Sequence, residues 1–204
     1  MAKLAARRVE TRLVEWLASY WVIGAGFMAA ALLALAPVLA ATLPLTVFLI
    51  FLHSPLYMLH QVEEHAGDRF RRFANERMFG GREGLSVPAV LVINLPLVWG
   101  LNLAALYAVA FCGPGWGLVA PYALVVNALN HLAAGLKLHA YNPGLVTALV
   151  LFLPLGFVTI TLIAREPSVG LADHLVGLGG ALLLHALIIA HVSARLRRMA
   201  RPAA

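Results

Sequence analysis

Six apolar stretches, at about residues 17–38, 42–65, 86–111, 117–139, 144–164 and 171–194, follow one another along this chain with short connections between them. Each is near or above the roughly 20 residues that a helix needs to cross the hydrocarbon core of a bilayer. Inside hydrocarbon the backbone must satisfy its own polar groups, and a helix does so within one segment. The expectation is an all-α fold, a polytopic transmembrane helical bundle of about six spans. Composition agrees, since 62% of the residues are hydrophobic and only 12% are charged, about half the charged share of a soluble domain.

The segments outside the spans are short. Residues 1–16 place Leu4, Val9, Leu13 and Trp16 at roughly helical spacing among charges, which reads as an amphipathic interfacial lead-in to a retained first helix. Residues 17–194 form a single transmembrane domain, and 195–204 a basic tail. The polar stretch 67–84 reads as a short surface helix stopped by Gly80 and Gly81. The third span breaks at Cys112-Gly113-Pro114-Gly115. The fourth ends at Tyr141-Asn142-Pro143-Gly144, where Pro143 is placed to open the fifth span, a position at which a proline loses no hydrogen bond.

Charge placement sets the sidedness. The net charge is +6, but the basic residues sit in clusters between apolar spans rather than interleaved on a folded surface, which argues against nucleic acid as a partner. Of 15 Lys and Arg, only Arg165 falls on one side of the expected membrane; the other 14 fall on the opposite side. Positive-inside logic makes the arginine-rich face cytoplasmic, with both termini and the 67–84 loop on that side of a cell (inner) membrane. Cys112 is the one cysteine, so no internal disulfide and no multi-cysteine metal site can form.

Ionisable groups inside a bilayer are costly, so each is a functional candidate. The second span holds His53, His60, Glu63 and Glu64, followed by His65. Positions 60, 63 and 64 share one helix face, and His53 lies two turns back on it. Pro55, between them, is expected to kink the helix. The fourth span adds Asn127 and His131, again four apart, with Asn130 beside them; the sixth adds His185 and His191; the third adds Asn94 and Asn102. The second, fourth and sixth spans run toward the same face, so depths can be compared at about 1.5 Å per residue. His191 then lies roughly 5 Å in, His60 roughly 8 Å, His131 about 12 Å and His185 about 13 Å. Three helices bring His or Glu to similar levels.

The sequence His60-Gln61-Val62-Glu63-Glu64, the later His131 and Tyr141-Asn142-Pro143-Gly144 together resemble the HXXEE family of bacterial membrane proteins. That family is named for the first motif and also carries a later histidine and a Tyr-x-Pro-Gly element. The resemblance covers about residues 40–160. It implies a membrane location and marks His60, Glu63, Glu64 and His131 as signature positions, but supplies no substrate.

Imidazoles and carboxylates at helical spacing are good ligands for a divalent transition metal, zinc or iron. His60, Glu63, Glu64, His131 and His185 are the expected ligands, with Glu63 and Glu64 as the catalytic carboxylates and His53, Asn127, Tyr141 and His191 in support. His185 is favoured over His191 because it is level with His131 and better isolated from water; six residues apart, the two are rotated by about 120°. The expected function is a metal-dependent intramembrane hydrolase or oxidoreductase acting on a lipophilic small molecule or lipid that arrives from the bilayer. Three alternatives stay open: a metal-free glutamate hydrolase, a transporter or proton relay through His53, His60 and Glu64, and a membrane protein with a purely structural role.

Overall fold

A computed structural model describes residues 2–200, with side chains described for Arg12 and for residues 15–200. The side chains of Leu4, Val9 and Leu13, on which the amphipathic reading of the lead-in rests, and tail residues 201–204 lie outside the described ones. Helix α1 (Ala2–Thr42) runs without a break across residue 16, so the lead-in and the first span are one helix; no glycine or proline interrupts the chain between Lys3 and Ile23. Helix α2 (Leu45–His65) follows, then α3 (residues 69–78), α4 (Val87–Phe111), α5 (Val119–Leu138), α6 (Leu145–Ile163) and α7 (Leu171–Met199). All of these except α3 are long and apolar enough to cross a membrane, and the described residues form an all-α bundle of six spans.

Helix α2 is the centre of the bundle. In its apolar window 61% of the residues are buried, against 11% in α1 and 17% in α7, so the outer helices present most of their surface to lipid. Ala25 and Ala29 of α1, both fully buried, let its backbone close on α2 beside Met58, the small-residue contact common between membrane helices. Leu49 and Tyr57 of α2 pack with Leu124 and Ala128 of α5 and Phe152 of α6. At the arginine-poor end Ile50, Val109, Leu118 and Ile163 close the core.

Three helices carry a wide π turn: Ala74–Met78 in α3, Ile93–Trp99 in α4 and Ala148–Phe152 in α6. Pro96 lies inside the second and Pro154 just beyond the third. A proline has no N–H to donate and crowds the turn before it, and a widened turn is one way for a helix to absorb that. π turns recur at functional sites because they rotate the following side chains out of helical register. Here the first two turns line one cavity toward the arginine-rich end, and the third sets Phe152 against His60 beside it.

Helix α3 crosses that end as a cover. It is joined to α2 through Gly67 and Asp68, both at positive φ (63° and 60°), and it is stopped by Gly80 and Gly81 at φ 63° and 79°, as the sequence predicts. Asn75 then pins the return of the chain by exchanging hydrogen bonds with the backbone of Leu85.

Candidate metal centre

His60 and Glu64 stand one turn apart near the end of α2, and His131 faces them from α5. All three are buried, at 0%, 6% and 5% exposure. His60 Nε2 lies 3.5 Å from one Glu64 oxygen, and His131 Nε2 lies 3.6 Å from the other. One ligand atom from each residue can be chosen so that all lie within 4.8 Å of one another. Two ligands bound at about 2.1 Å to a tetrahedral ion stand about 3.4 Å apart, so these separations suit a shared cation better than direct hydrogen bonds. Phe152 lies against the His60 ring at 4.3 Å between centroids, and Phe70 of α3 lies 5.8 Å from the His131 ring. These two rings shield the centre on two sides.

The partners of the other ring nitrogens fix the tautomers. Asn142 Nδ2 donates to the His131 backbone carbonyl at 2.9 Å, which turns its Oδ1 toward His131 Nδ1 at 2.6 Å. An amide oxygen only accepts, so His131 carries its proton on Nδ1 and presents a bare lone pair at Nε2. His60 Nδ1 lies 2.8 Å from the Thr147 hydroxyl. That hydroxyl gives its own proton to Glu63 Oε2, so it accepts from His60, and His60 too is left with a bare Nε2. Two lone pairs and a carboxylate thus converge with no hydrogen between them. His60 Nε2 has no hydrogen-bond partner among the described residues. Relays from imidazole to carboxylate or amide are the usual outer layer of a histidine-ligated metal.

Glu63, expected as a ligand and catalytic carboxylate, takes another role. Its two oxygens accept from the Tyr141 hydroxyl at 2.7 Å, the Val146 backbone at 3.2 Å, the Thr147 backbone at 2.7 Å and the Thr147 hydroxyl. These amides belong to the first turn of α6, where N–H groups lack helical partners and carry partial positive charge. Glu63 thereby caps α6 from α2 and holds the relay to His60. Burial, and then the Glu63 carboxylate beside it, hold the Tyr141 phenol above its ordinary pKa, so it stays a donor in this bond.

The Tyr-Asn-Pro-Gly element wraps the centre. Tyr141 holds Glu63, Asn142 orients His131, and Gly144 leans its bare Cα on both imidazoles. A Cβ there would stand 2.6 Å from His131 Cε1 and 2.8 Å from His60 Cε1, and Gly144 has φ +97°. That conformation is not helical, so α6 opens at Leu145 rather than at Pro143.

The remaining expected residues are distributed as follows. His185 is half-buried and directs Nδ1 to its own helix at Ala181 O (2.8 Å); it faces the centre across a cavity, outside the ligand group. His191 is exposed to the surroundings of α7. His53 is fully buried, with Nδ1 on Leu49 O at 2.8 Å, and is likewise outside the ligand group. Asn127 reaches the Tyr57 hydroxyl at 3.4 Å. Asn94 braces α4 on α2, accepting from Gln61, whose Oε1 takes the Trp99 indole N–H at 2.8 Å. Sequence reasoning missed Asn142, Thr147 and Gly144 as parts of the site, and also His65. His65 Nε2 donates to Glu64 at 3.0 Å, with its ring packed against Trp21. Its place beside Glu64 was the available signal.

A cavity of about 510 Å³ opens on the centre, with Glu64, His131 and Asn142 on one wall. That volume lies within the range of small-molecule sites. The other walls are mostly apolar, from α3, α4 and α7. Helix α7 meets the start of α4 at the arginine-rich end, where Val192 and Leu196 pack with Leu85 and Val90 and Arg195 binds Glu83. A family model described as "protein of unknown function with HXXEE motif" matches residues 51–159, a stretch that contains every residue of the centre and its relays. No curated protein and no solved structure matches the chain.

Proposed function

This chain belongs to the HXXEE family, and from the way the signature residues meet in it we infer a metal-dependent intramembrane enzyme that acts on a lipophilic molecule. The observation that carries this reading is the convergence of His60 Nε2, His131 Nε2 and the Glu64 carboxylate, with both imidazole protons committed to the far nitrogens. Bare lone pairs facing a buried carboxylate repel one another in a low-dielectric site, and a cation between them turns that cost into bonding. Two histidines and one carboxylate are the donor set shared by catalytic zinc sites and non-haem iron sites, so zinc and iron are the proposed ions. Such an ion supplies a Lewis acid, or with iron a redox centre, facing the cavity.

The chain's own residues do the rest. Asn142 and the Thr147–Glu63 relay hold the two imidazoles in the binding tautomer. Glu64 completes the set, steadied by His65. Phe70 and Phe152 shield the imidazoles. The apolar cavity walls select a lipophilic substrate, and three protein ligands leave a coordination position for it. The metal-free glutamate hydrolase is disfavoured, because Glu63 has both oxygens engaged with Tyr141, Val146 and Thr147 and cannot act as a second free carboxylate. We place the protein in the inner membrane with its arginine-rich end in the cytoplasm.

The test is turnover. Metal-loaded protein in nanodiscs is incubated with a total lipid extract of its host membrane, and products are followed by mass spectrometry. Species should appear or vanish with the wild type and not with Glu64→Ala or His131→Ala. Identical extracts from wild type and both variants would remove the enzymatic reading.

A further inference from the structure

Deeper than the metal centre the cavity wall changes character. Tyr57 and Asn127 both line it, three and four residues along their helices from His60 and His131, so they lie roughly 4.5–6 Å nearer the membrane centre. Asn127 Nδ2 donates to the Tyr57 hydroxyl at 3.4 Å, which leaves the Tyr57 proton, and on Asn127 the amide oxygen and the second N–H, without a partner in that pair. The Tyr57 proton has no acceptor among the described residues, and Asn127 Oδ1 is buried without a hydrogen-bond partner. A donor and an acceptor therefore stand side by side in a wall whose apolar residues include Val98, Leu101, Leu184 and Ile188, with His185 facing the cavity from α7. On α4, Asn102, only 2% exposed, also lines the cavity and makes no side-chain hydrogen bond among the described residues.

A plain alkyl chain filling this space would leave these groups unpaired in a dry site, which is costly. A hydroxyl answers the Tyr57–Asn127 pair on both counts, because it gives one proton and accepts on its lone pairs. A charged group has no such match, since the charged lining residues Glu64 and Lys137 stand nearer the arginine-rich end. Building on the reading of the centre as a lipid-directed enzyme, we propose that the substrate is an uncharged long-chain lipid. It carries a hydroxyl about one helical turn deeper than the group it presents to the centre, and Tyr57 and Asn127 hold that hydroxyl.

Binding is measured on chelator-treated protein in nanodiscs, so that no metal takes part. Octadecanol and the octadecanediol with a second hydroxyl in mid-chain each compete against a fluorescent fatty-acyl probe. The diol should bind at least about tenfold more tightly. Asn127→Leu and Tyr57→Phe should each erase that preference while octadecanol still binds as it does to the wild type, which also shows that the variants are folded. Equal affinity of the two probes for wild type, a preference that survives both substitutions, or no binding of either probe overturns the proposal. Because the measurement needs no metal, a centre that proved unable to hold an ion would leave its outcome unchanged, and the two readings fail separately.

Discussion

Gly144 is the residue on which the geometry of the centre is most finely balanced. Its φ of +97° disfavours any side chain, and a Cβ would collide with the rings of both His60 and His131. Gly144→Ala should therefore part the two imidazoles and weaken zinc binding by well over tenfold, measured by chelator competition, with a loss of stability of about 1–3 kcal/mol from backbone strain. Asn142→Leu and Thr147→Val act one layer out. Each frees a ligand histidine to carry its proton on Nε2, and outer-layer losses of this kind cost about 10–100-fold in metal affinity. His185→Ala, outside the ligand group, should leave that affinity unchanged. A loss with His185→Ala equal to that of Asn142→Leu would mean that α7 supplies a ligand.

At the scale of elements, α3 is the cover of the site. It sets Phe70 against His131 and is joined at each end through residues at positive φ. Phe70→Ala should speed the stripping of metal by an added chelator while helical content by circular dichroism stays as in wild type; an unchanged rate would mean that water already reaches the centre by another path. The six spans were legible because length and apolarity decide a membrane helix locally. The pairing of His60 with His131 was legible because rise per residue converts sequence position into depth. Direction around each helix axis was not legible, since it depends on how separate helices are rotated against one another. That is why His185 lines the cavity but stands outside the ligand group. The division of labour between Glu63 and Glu64 needed the position of the α6 N-terminus, which no residue near Glu63 announces. Asn142 and Thr147 act on side chains from other helices or across a turn, so their spacing carries no periodic signal.

For the whole molecule, the arginine-rich end holds the centre and its cover; by sequence position 14 of the 15 basic residues fall on that side of the spans, and this end is expected to face the cytoplasm. Cys112, exposed at the opposite end, is a built-in reporter. A membrane-impermeant maleimide applied to intact cells should label the wild type. It should fail on Cys112→Ala carrying Glu76→Cys, at an exposed position of α3, until the cells are permeabilised. Labelling at position 76 in intact cells would invert the topology. The centre itself is tested most directly by elemental analysis of the protein purified without chelators. The account predicts zinc or iron at about one ion per chain, for a single site of this donor set, and its loss in both Glu64→Ala and His131→Ala with helical content preserved. A folded wild-type protein that carries neither ion and takes up neither on addition, or both variants retaining a full complement of metal, would contradict it.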